Sequence, residues 1–134
     1  MGPTMRRFLL DTNILIYYLA DAIPSESLDE VDDMLTSSFR ISIITKIEFL
    51  GWKKHTPTGY DMAEDFIRSA EVYPLTERIA DTSIHLRRTY GMRLADAVIA
   101  ATAVVHDCAL VTRNEDDFSR ICTLEIVNPF NKEE

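Results

Sequence analysis

Four carboxylate side chains stand in largely apolar stretches of this sequence, where an unpaired charge is costly to bury. They are Asp11, Glu48, Asp96 and Asp117. If one fold brought them together they would repel one another, and such a cluster persists only around positive charge. No His or Cys accompanies them at the spacing typical of zinc ligands. An all-oxygen set favours Mg²⁺ or Mn²⁺, so these residues are candidate ligands of a hard divalent cation.

Each of these carboxylates also has a purely structural interpretation. Asp11 could cap the helix that follows it, and Glu48 could complete a capping box that begins at Thr45. Asp96 falls in the first turn of a predicted helix, where it would balance the helix dipole. In the acidic run 115–117, most of the charges are expected to face solvent.

Apolar and β-branched patterns predict the elements that must position these side chains. Strands are predicted at 6–10, 40–44, 72–74, 109–111 and 124–127. Helices are predicted at 14–19, 27–35, 45–54, 60–70, 76–90 and 94–106. The helix at 27–35 would begin with a capping box at Ser27, and Gly91 would end the helix at 76–90. In the helix at 45–54, we expect Ile47, Leu50 and Gly51 to face the core.

The alternation of strands and helices predicts a three-layer α/β/α fold with a central, mostly parallel sheet of four to five strands. In sheets of this kind, binding sites form outside the carboxyl ends of the strands. Asp11 and the segment 112–114 both follow predicted strands directly. The fold would therefore place them at the same edge of the sheet.

Composition limits the class of protein. The chain has 134 residues, 46% hydrophobic and 27% charged, and we interpret residues 1–134 as one domain. Residues 1–4 precede Met5 and the first apolar run, so we treat them as an added or start-site extension. The net charge of −8 argues against a basic nucleic-acid-binding patch, unless bound cations reverse the sign locally. No apolar run is long enough for a membrane helix, and both cysteines are expected to be buried thiols in a reducing cytosol.

Four segments together resemble the PIN-domain ribonucleases, and look most like the VapC-type toxins of prokaryotic toxin–antitoxin pairs. They are Phe8-Leu9-Leu10-Asp11-Thr12-Asn13, Ile44-Thr45-Lys46-Ile47-Glu48-Phe49, residues 94–103 and residues 110–118. The first segment alone is a weak signal, whereas all four in this order are fairly specific. The resemblance extends from Arg6 to Phe130.

The resemblance implies roles for particular residues. The acids of the family's metal site fall on Asp11, Glu48 and Asp96, and the variable fourth acid is assigned to Asp117 in preference to Asp116. Supporting polar positions fall on Thr12, Asn13, Thr112 and Asn114. Basic residues near the motifs are expected to meet the substrate backbone, Arg93 first among them. They are Lys46, Arg87, Arg93 and Arg113.

The activity implied by the resemblance is hydrolysis of RNA phosphodiesters with Mg²⁺ or Mn²⁺, leaving 5′-phosphate and 3′-hydroxyl ends. Asp11 and Asp96 are the expected direct ligands, while Glu48 would ligate the cation or orient the attacking water. The implied partners are an RNA substrate, a cognate antitoxin and a second copy of the chain in a homodimer. In the family, the helices around 12–20 and 46–70 pair with the antitoxin. The resemblance also implies a cytoplasmic protein with no membrane partner.

Two other functions fit parts of the sequence. A phosphatase with an aspartyl nucleophile would carry a second Asp two residues after Asp11, where this chain has Asn13. A non-catalytic PIN-fold module that binds RNA or protein would have lost acidic positions, and all four are filled here. The three histidines form no catalytic or metal-binding pattern, and Trp52 is expected to pack in the core.

Overall fold

The computed structural model describes residues 6–130, so the predicted extension at residues 1–4 lies outside the described residues. Within this range the strands are β1 (Phe8–Leu10), β2 (Arg40–Ser42), β3 (Glu71–Tyr73), β4 (Ala109–Val111) and β5 (Ile126–Val127). They form one sheet in the order β3-β2-β1-β4-β5, and every neighbouring pair is parallel. The first strand therefore lies at the centre of the sheet.

Helices connect the strands. They are α1 (Thr12–Leu19), α2 (Ser25–Ser37), α3 (Ile43–Leu50), α4 (Pro57–Ile67), α5 (Glu77–Tyr90), α6 (Leu94–Val105) and α7 (Glu115–Phe118). All of them except the one-turn α7 match a helix expected from the apolar periodicity. The sequence analysis missed α7, because four residues are too few to show a helical period.

Both faces of the sheet are covered, as two adjacent residues of β1 show. Leu9 and Leu10 are fully buried, and their side chains point to opposite faces because side chains alternate along a strand. Leu9 packs in the cluster that includes residues of α5, α6 and α7, whereas Leu10 packs in the cluster that includes residues of α1 to α4. The predicted three-layer α/β/α fold with a parallel central sheet is therefore confirmed.

The start of α3 differs from the prediction. Ser42 is the N-cap, and its hydroxyl oxygen accepts a hydrogen bond from the Ile44 N–H at 3.0 Å. The helix therefore begins two residues earlier than predicted, and Thr45 lies fully buried inside it. The capping-box interpretation of Glu48 is wrong, since that residue lies in the body of the helix and its side chain points elsewhere.

The start of α2 was also predicted wrongly. The helix begins at Ser25, directly after Pro24, which has no side-chain group that could cap it. Ser27 is buried, and its hydroxyl donates to the carbonyl of Pro129. That hydroxyl therefore ties α2 to the end of the described chain.

Four residues expected inside are exposed, and Gly51 at the end of α3 is one of them. Ile47 is 60% exposed and Trp52 is 44% exposed, so neither is a core residue. Cys108 is buried as expected, but Cys122 is exposed. The inward face of α3 carries Thr45 and Phe49, which lie four residues apart.

The end of α5 follows the prediction. Thr76 caps the helix, its hydroxyl oxygen accepting from the Ile79 N–H, and Gly91 ends it with φ +67° in the left-handed region. This turn leads directly into α6, which carries Asp96 in its first turn. In the described part of the chain, no helix is long and apolar enough to cross a membrane.

Candidate metal centre at the carboxyl edge of the sheet

The four predicted acids lie on four separate elements. Asp11 directly follows β1, Glu48 lies on α3, Asp96 on α6 and Asp117 on α7. The structural interpretation of Asp11 also holds, because it is the N-cap of α1 and accepts from the Thr12 N–H. A capping residue at the end of the central strand is thereby fixed at the edge where sites form in parallel sheets.

Asp11 is held by three hydrogen bonds. Its Oδ1 accepts from the Thr12 N–H at 2.8 Å. Its Oδ2 accepts from the Thr112 hydroxyl at 2.8 Å and from the Asn13 side-chain amide at 3.1 Å. Three of the four lone-pair positions of the carboxylate are therefore occupied by donors, and one on Oδ1 is left for a cation. Thr112 also accepts from the Asn114 N–H at 3.0 Å, while the Asn114 side chain does not cap α7.

Glu48 is oriented by a hydroxyl from another helix. The Thr12 hydroxyl donates to Glu48 Oε1 at 2.6 Å. The Oγ1 atoms of Thr12 and Thr45 lie 3.2 Å apart, within hydrogen-bonding distance. Thr12 therefore joins α1 to α3, and its hydroxyl fixes one oxygen of an otherwise exposed glutamate.

The charges of these carboxylates act on one another. The pKa of Asp11 is raised to about 6, mainly by burial and to a smaller extent by the charges of Asp96 and Glu48, while the bonds from Thr112 and Thr12 oppose the rise. Burial is also the main cause that raises the pKa of Asp96. Arg93 opposes this rise, while the charges of Asp117 and Glu48 add to it.

The donor set fits a hard divalent cation. All of the coupled side chains offer oxygen, and positive charge between them would relieve the repulsion that raises the pKa of Asp11 and Asp96. Within residues 6–130, no group of three or more His, Cys, Asp or Glu side chains is already arranged to hold a metal ion. Rotation of the more exposed carboxylates toward the buried Asp11 is therefore needed to complete a coordination shell.

Two cavities share residues of α7, and Asp117 lines both, whereas Asp11 and Glu48 line neither. The larger, of about 550 Å³, is lined by Arg113, Asn128 and Phe130 as well as residues of α7. The smaller, of about 170 Å³, is lined by Arg93, Asp96 and residues of α5 and α7 among others. Asp116 and Asp117 contribute to both cavities.

The predicted basic residues fall in different places. Arg93 is exposed and forms an ion pair with Asp96, its Nε lying 3.6 Å from Oδ2. Arg113 lines the larger cavity. Lys46 instead lines a separate cavity with Glu64 and Arg68, and Arg87 is exposed in the last turn of α5.

Two residues near the site were not predicted from the sequence. Thr45 was expected to cap a helix, but it contacts the Thr12 hydroxyl. Arg120 lines the smaller cavity, and it lies outside every matched segment. The sequence did offer one signal for Arg120, since this residue follows Phe118 by two positions and comes just after the acidic run.

These features define the class of protein: a parallel α/β domain with an acidic, oxygen-rich pocket at the carboxyl edge of its sheet. A family model described as PIN domain matches residues 8–124. The chain therefore belongs to the PIN domain family. No match was found in the comparison with curated proteins.

Solved structures show the same fold. A chain of a toxin–antitoxin complex from Klebsiella pneumoniae is 30% identical, with a TM-score of 0.74, over 92% of this chain and 98% of that one. A chain of a DNA-bound VapBC complex from Salmonella typhimurium is 26% identical, with a TM-score of 0.80, over 93% of this chain and 99% of that one. These similarities extend along almost the whole chain.

Proposed function

We propose that this protein is a metal-dependent endoribonuclease and acts as the toxin of a prokaryotic toxin–antitoxin pair. The observation that carries the proposal is the buried Asp11, which Thr12, Asn13 and Thr112 hold at the carboxyl end of β1 with one lone-pair position left for a cation. The charges of Asp96 and Glu48, from two other elements, act on it. Membership of the PIN domain family and the similarity to chains of toxin–antitoxin complexes support it. Strongly perturbed carboxylates at one edge of a sheet are typical of functional sites.

Mg²⁺ or Mn²⁺, when bound, would supply positive charge for the phosphate and a water of lowered pKa. Asp11 and Asp96 are the proposed direct ligands, and Asp117 is the proposed fourth acid because its charge acts on Asp96. Glu48, with one oxygen held by Thr12, either ligates the cation or accepts a proton from the attacking water. Thr112 and Asn13 keep Asp11 in place throughout.

The test combines cation binding with RNA cleavage. Purified protein is titrated with Mg²⁺ or Mn²⁺ by calorimetry, and a structured RNA pool is incubated with it in the same metals or in EDTA. We expect wild-type protein to bind the cation and cut RNA only when the metal is present. Asp96→Asn should lose both properties, whereas the matched control Asp61→Asn, an exposed position on α4, should keep both.

Two outcomes would contradict the proposal. If Asp96→Asn cuts RNA as well as the wild type, the active site lies elsewhere or the activity comes from a contaminant. If the wild-type protein binds RNA but cuts none in any metal, the protein is a non-catalytic PIN-fold binding module. Direct cation binding without cleavage would separate a correct metal site from a wrong reaction.

An apolar cavity supports the proposed antitoxin partner. It measures about 230 Å³ and lies among α1, α3 and α4, where Leu19, Phe49, Trp52 and Met62 contribute to its lining. Trp52 and Met62 are 44% and 57% exposed, as expected for a surface that another chain covers. We expect the antitoxin encoded beside this protein to co-purify with the wild type and to be lost from Trp52→Asp.

Light scattering of the free protein tests the proposed homodimer separately.

A further inference from the structure

The helix α7 separates two cavities that each contain an arginine. Asp116 and Asp117 line both cavities, and Asp96 lines the smaller one, so the exposed acids of the candidate site lie where the two cavities meet. Arg113 lines the larger cavity, and Arg120 and Arg93 line the smaller one. In a chain with a net charge of −8, cationic groups on both sides of the acids are the positions where a polyanion can be held.

Arg113 is fixed in place by aromatic rings. Its guanidinium carbon lies 4.6 Å from the centre of the Phe130 ring and 5.2 Å from that of Tyr17. One amine also donates to the Tyr17 hydroxyl at 2.9 Å. The residue is nevertheless exposed. A guanidinium has five N–H groups, so a group fixed in this way keeps donors for a phosphate and loses little side-chain entropy on binding it.

Arg120 is fixed in a similar way on the other side. One amine donates to the backbone carbonyl of Tyr90 at 2.7 Å, and the guanidinium carbon lies 5.4 Å from the centre of the Tyr90 ring. Its neighbour Arg93 is engaged with Asp96 instead. Among the described residues Arg120 forms no ion pair like that of Arg93 with Asp96, although Asp116 and Asp117 line the same cavity.

We infer that a single strand of RNA lies across α7, with one phosphate bound by Arg113 in the larger cavity and another by Arg120 in the smaller. The phosphate to be cleaved then lies between them, over Asp96 and Asp117. This inference rests on the proposed function, because it assigns the path of the substrate at the same site. Phe130 presents a ring in the larger cavity beside Arg113, where a base of the strand can stack.

The experiment measures the salt dependence of binding. The probe is a fluorescein-labelled oligouridylate of about twelve nucleotides, followed by anisotropy in a Ca²⁺ buffer, with a gel to show that it stays intact. Each lost phosphate contact on a single strand lowers the slope of log affinity against log salt by about 0.7. We expect that loss for Arg113→Gln and for Arg120→Gln, and about twice as much for the double variant.

Controls separate charge from packing. Arg88→Gln removes an exposed arginine that lines a different cavity on α5, and it should leave the slope unchanged. Arg113→Lys and Arg120→Lys keep the positive charge and should recover most of the slope, even where the ring contacts are weakened. A duplex of the same length should show a smaller loss of slope in both glutamine variants.

Some results would overturn the inference. One is that Arg113→Gln or Arg120→Gln keeps the wild-type slope of log affinity against log salt. Another is that Arg88→Gln loses as much slope as those two variants. A third is that the wild-type protein does not bind the probe. A double variant no worse than either single variant would also contradict it, because both arginines would then meet one phosphate. If the slopes change as expected but no RNA is ever cut, the path stands and the nuclease proposal fails. If RNA is cut and the slopes stay unchanged, only the path is wrong.

Discussion

Replacing Asp11 with asparagine should stabilise the metal-free protein at neutral pH. The ordinary pKa of 3.8 rises to about 6 in the folded chain, mainly because the carboxyl is buried. At about 1.4 kcal/mol per pKa unit, keeping this group charged costs the fold about 3 kcal/mol above pH 6. An asparagine carries no charge, but its amide would face the donors Thr112 and Asn13, which offsets about 1–2 kcal/mol. We therefore expect the free energy of unfolding of Asp11→Asn to exceed that of the wild type by about 1–2 kcal/mol at pH 7.

The stability of the wild type and that of Asp11→Asn should depend differently on pH. Because the folded state has the higher pKa, it binds the proton more tightly than the unfolded chain, so acidification stabilises the wild type. The gain of wild-type stability should develop between about pH 6 and pH 4. Because that gain of about 3 kcal/mol exceeds the advantage of Asp11→Asn, the variant should become the less stable of the two proteins toward pH 4, by about 1–2 kcal/mol. Urea denaturation in EDTA at a series of pH values measures both variants. Asp61→Asn, an exposed aspartate on α4, is the matched control and should differ little from the wild type at any pH.

Two results would refute this reasoning. Asp11→Asn could prove less stable than the wild type at pH 7, in which case the three hydrogen bonds outweigh the cost of burying the charge. Alternatively, the difference between the two proteins could stay constant from pH 7 to pH 4, and the carboxyl would then not titrate in that range. Either result would remove the electrostatic argument for a cation beside Asp11.

Three further predictions follow from the same structure. Saturating Mg²⁺ should raise the Tm of the wild type in a thermal shift assay and leave that of Asp11→Asn unchanged, since a ligand that binds only the folded state stabilises it. Thr12→Val should lower metal-dependent RNA cleavage by about 10–100-fold because it removes the donor to Glu48, whereas Thr12→Ser keeps that donor and should retain most activity in the same assay. Gly91→Ala should lower the free energy of unfolding by about 1–2 kcal/mol in urea denaturation, because φ is +67°. No atom lies within 4 Å of the added methyl group, so the cost comes from the backbone conformation alone. An unchanged unfolding midpoint would contradict the backbone argument.

Much of the fold could be predicted because local and global signals agree. The run Phe8–Leu10 is short, apolar and followed by Asp11, and it forms the central strand. The start of α3 could not be predicted in the same way, because Ser42 and Thr45 are both capable caps. Their competition is decided by tertiary burial, which places Thr45 against Thr12 from another helix.

The rule that the strands of a parallel sheet end at one edge predicts a common location only for Asp11 and the segment 112–114. Glu48, Asp96 and Asp117 are candidates because of their apolar surroundings and the resemblance to the family. The groups that orient these acids could not be predicted. The bond from Thr112 to Asp11 joins residues 101 positions apart, and Arg120 meets Tyr90 across 30 positions. Such pairs leave no periodic pattern in the sequence, because they depend on how separate elements pack. Their assignment therefore required the three-dimensional arrangement.

The brevity of α7 makes the two cavities depend on the core. A single helical turn has almost no stability of its own, since forming the first turn is the unfavourable step in helix formation. Its last residue, Phe118, is 1% exposed and packs in the cluster beneath α6. That ring anchors the helical turn that carries Asp116 and Asp117 to the hydrophobic core. Substitutions around Phe118 would consequently change the shape of both cavities, even though Phe118 lines neither of them.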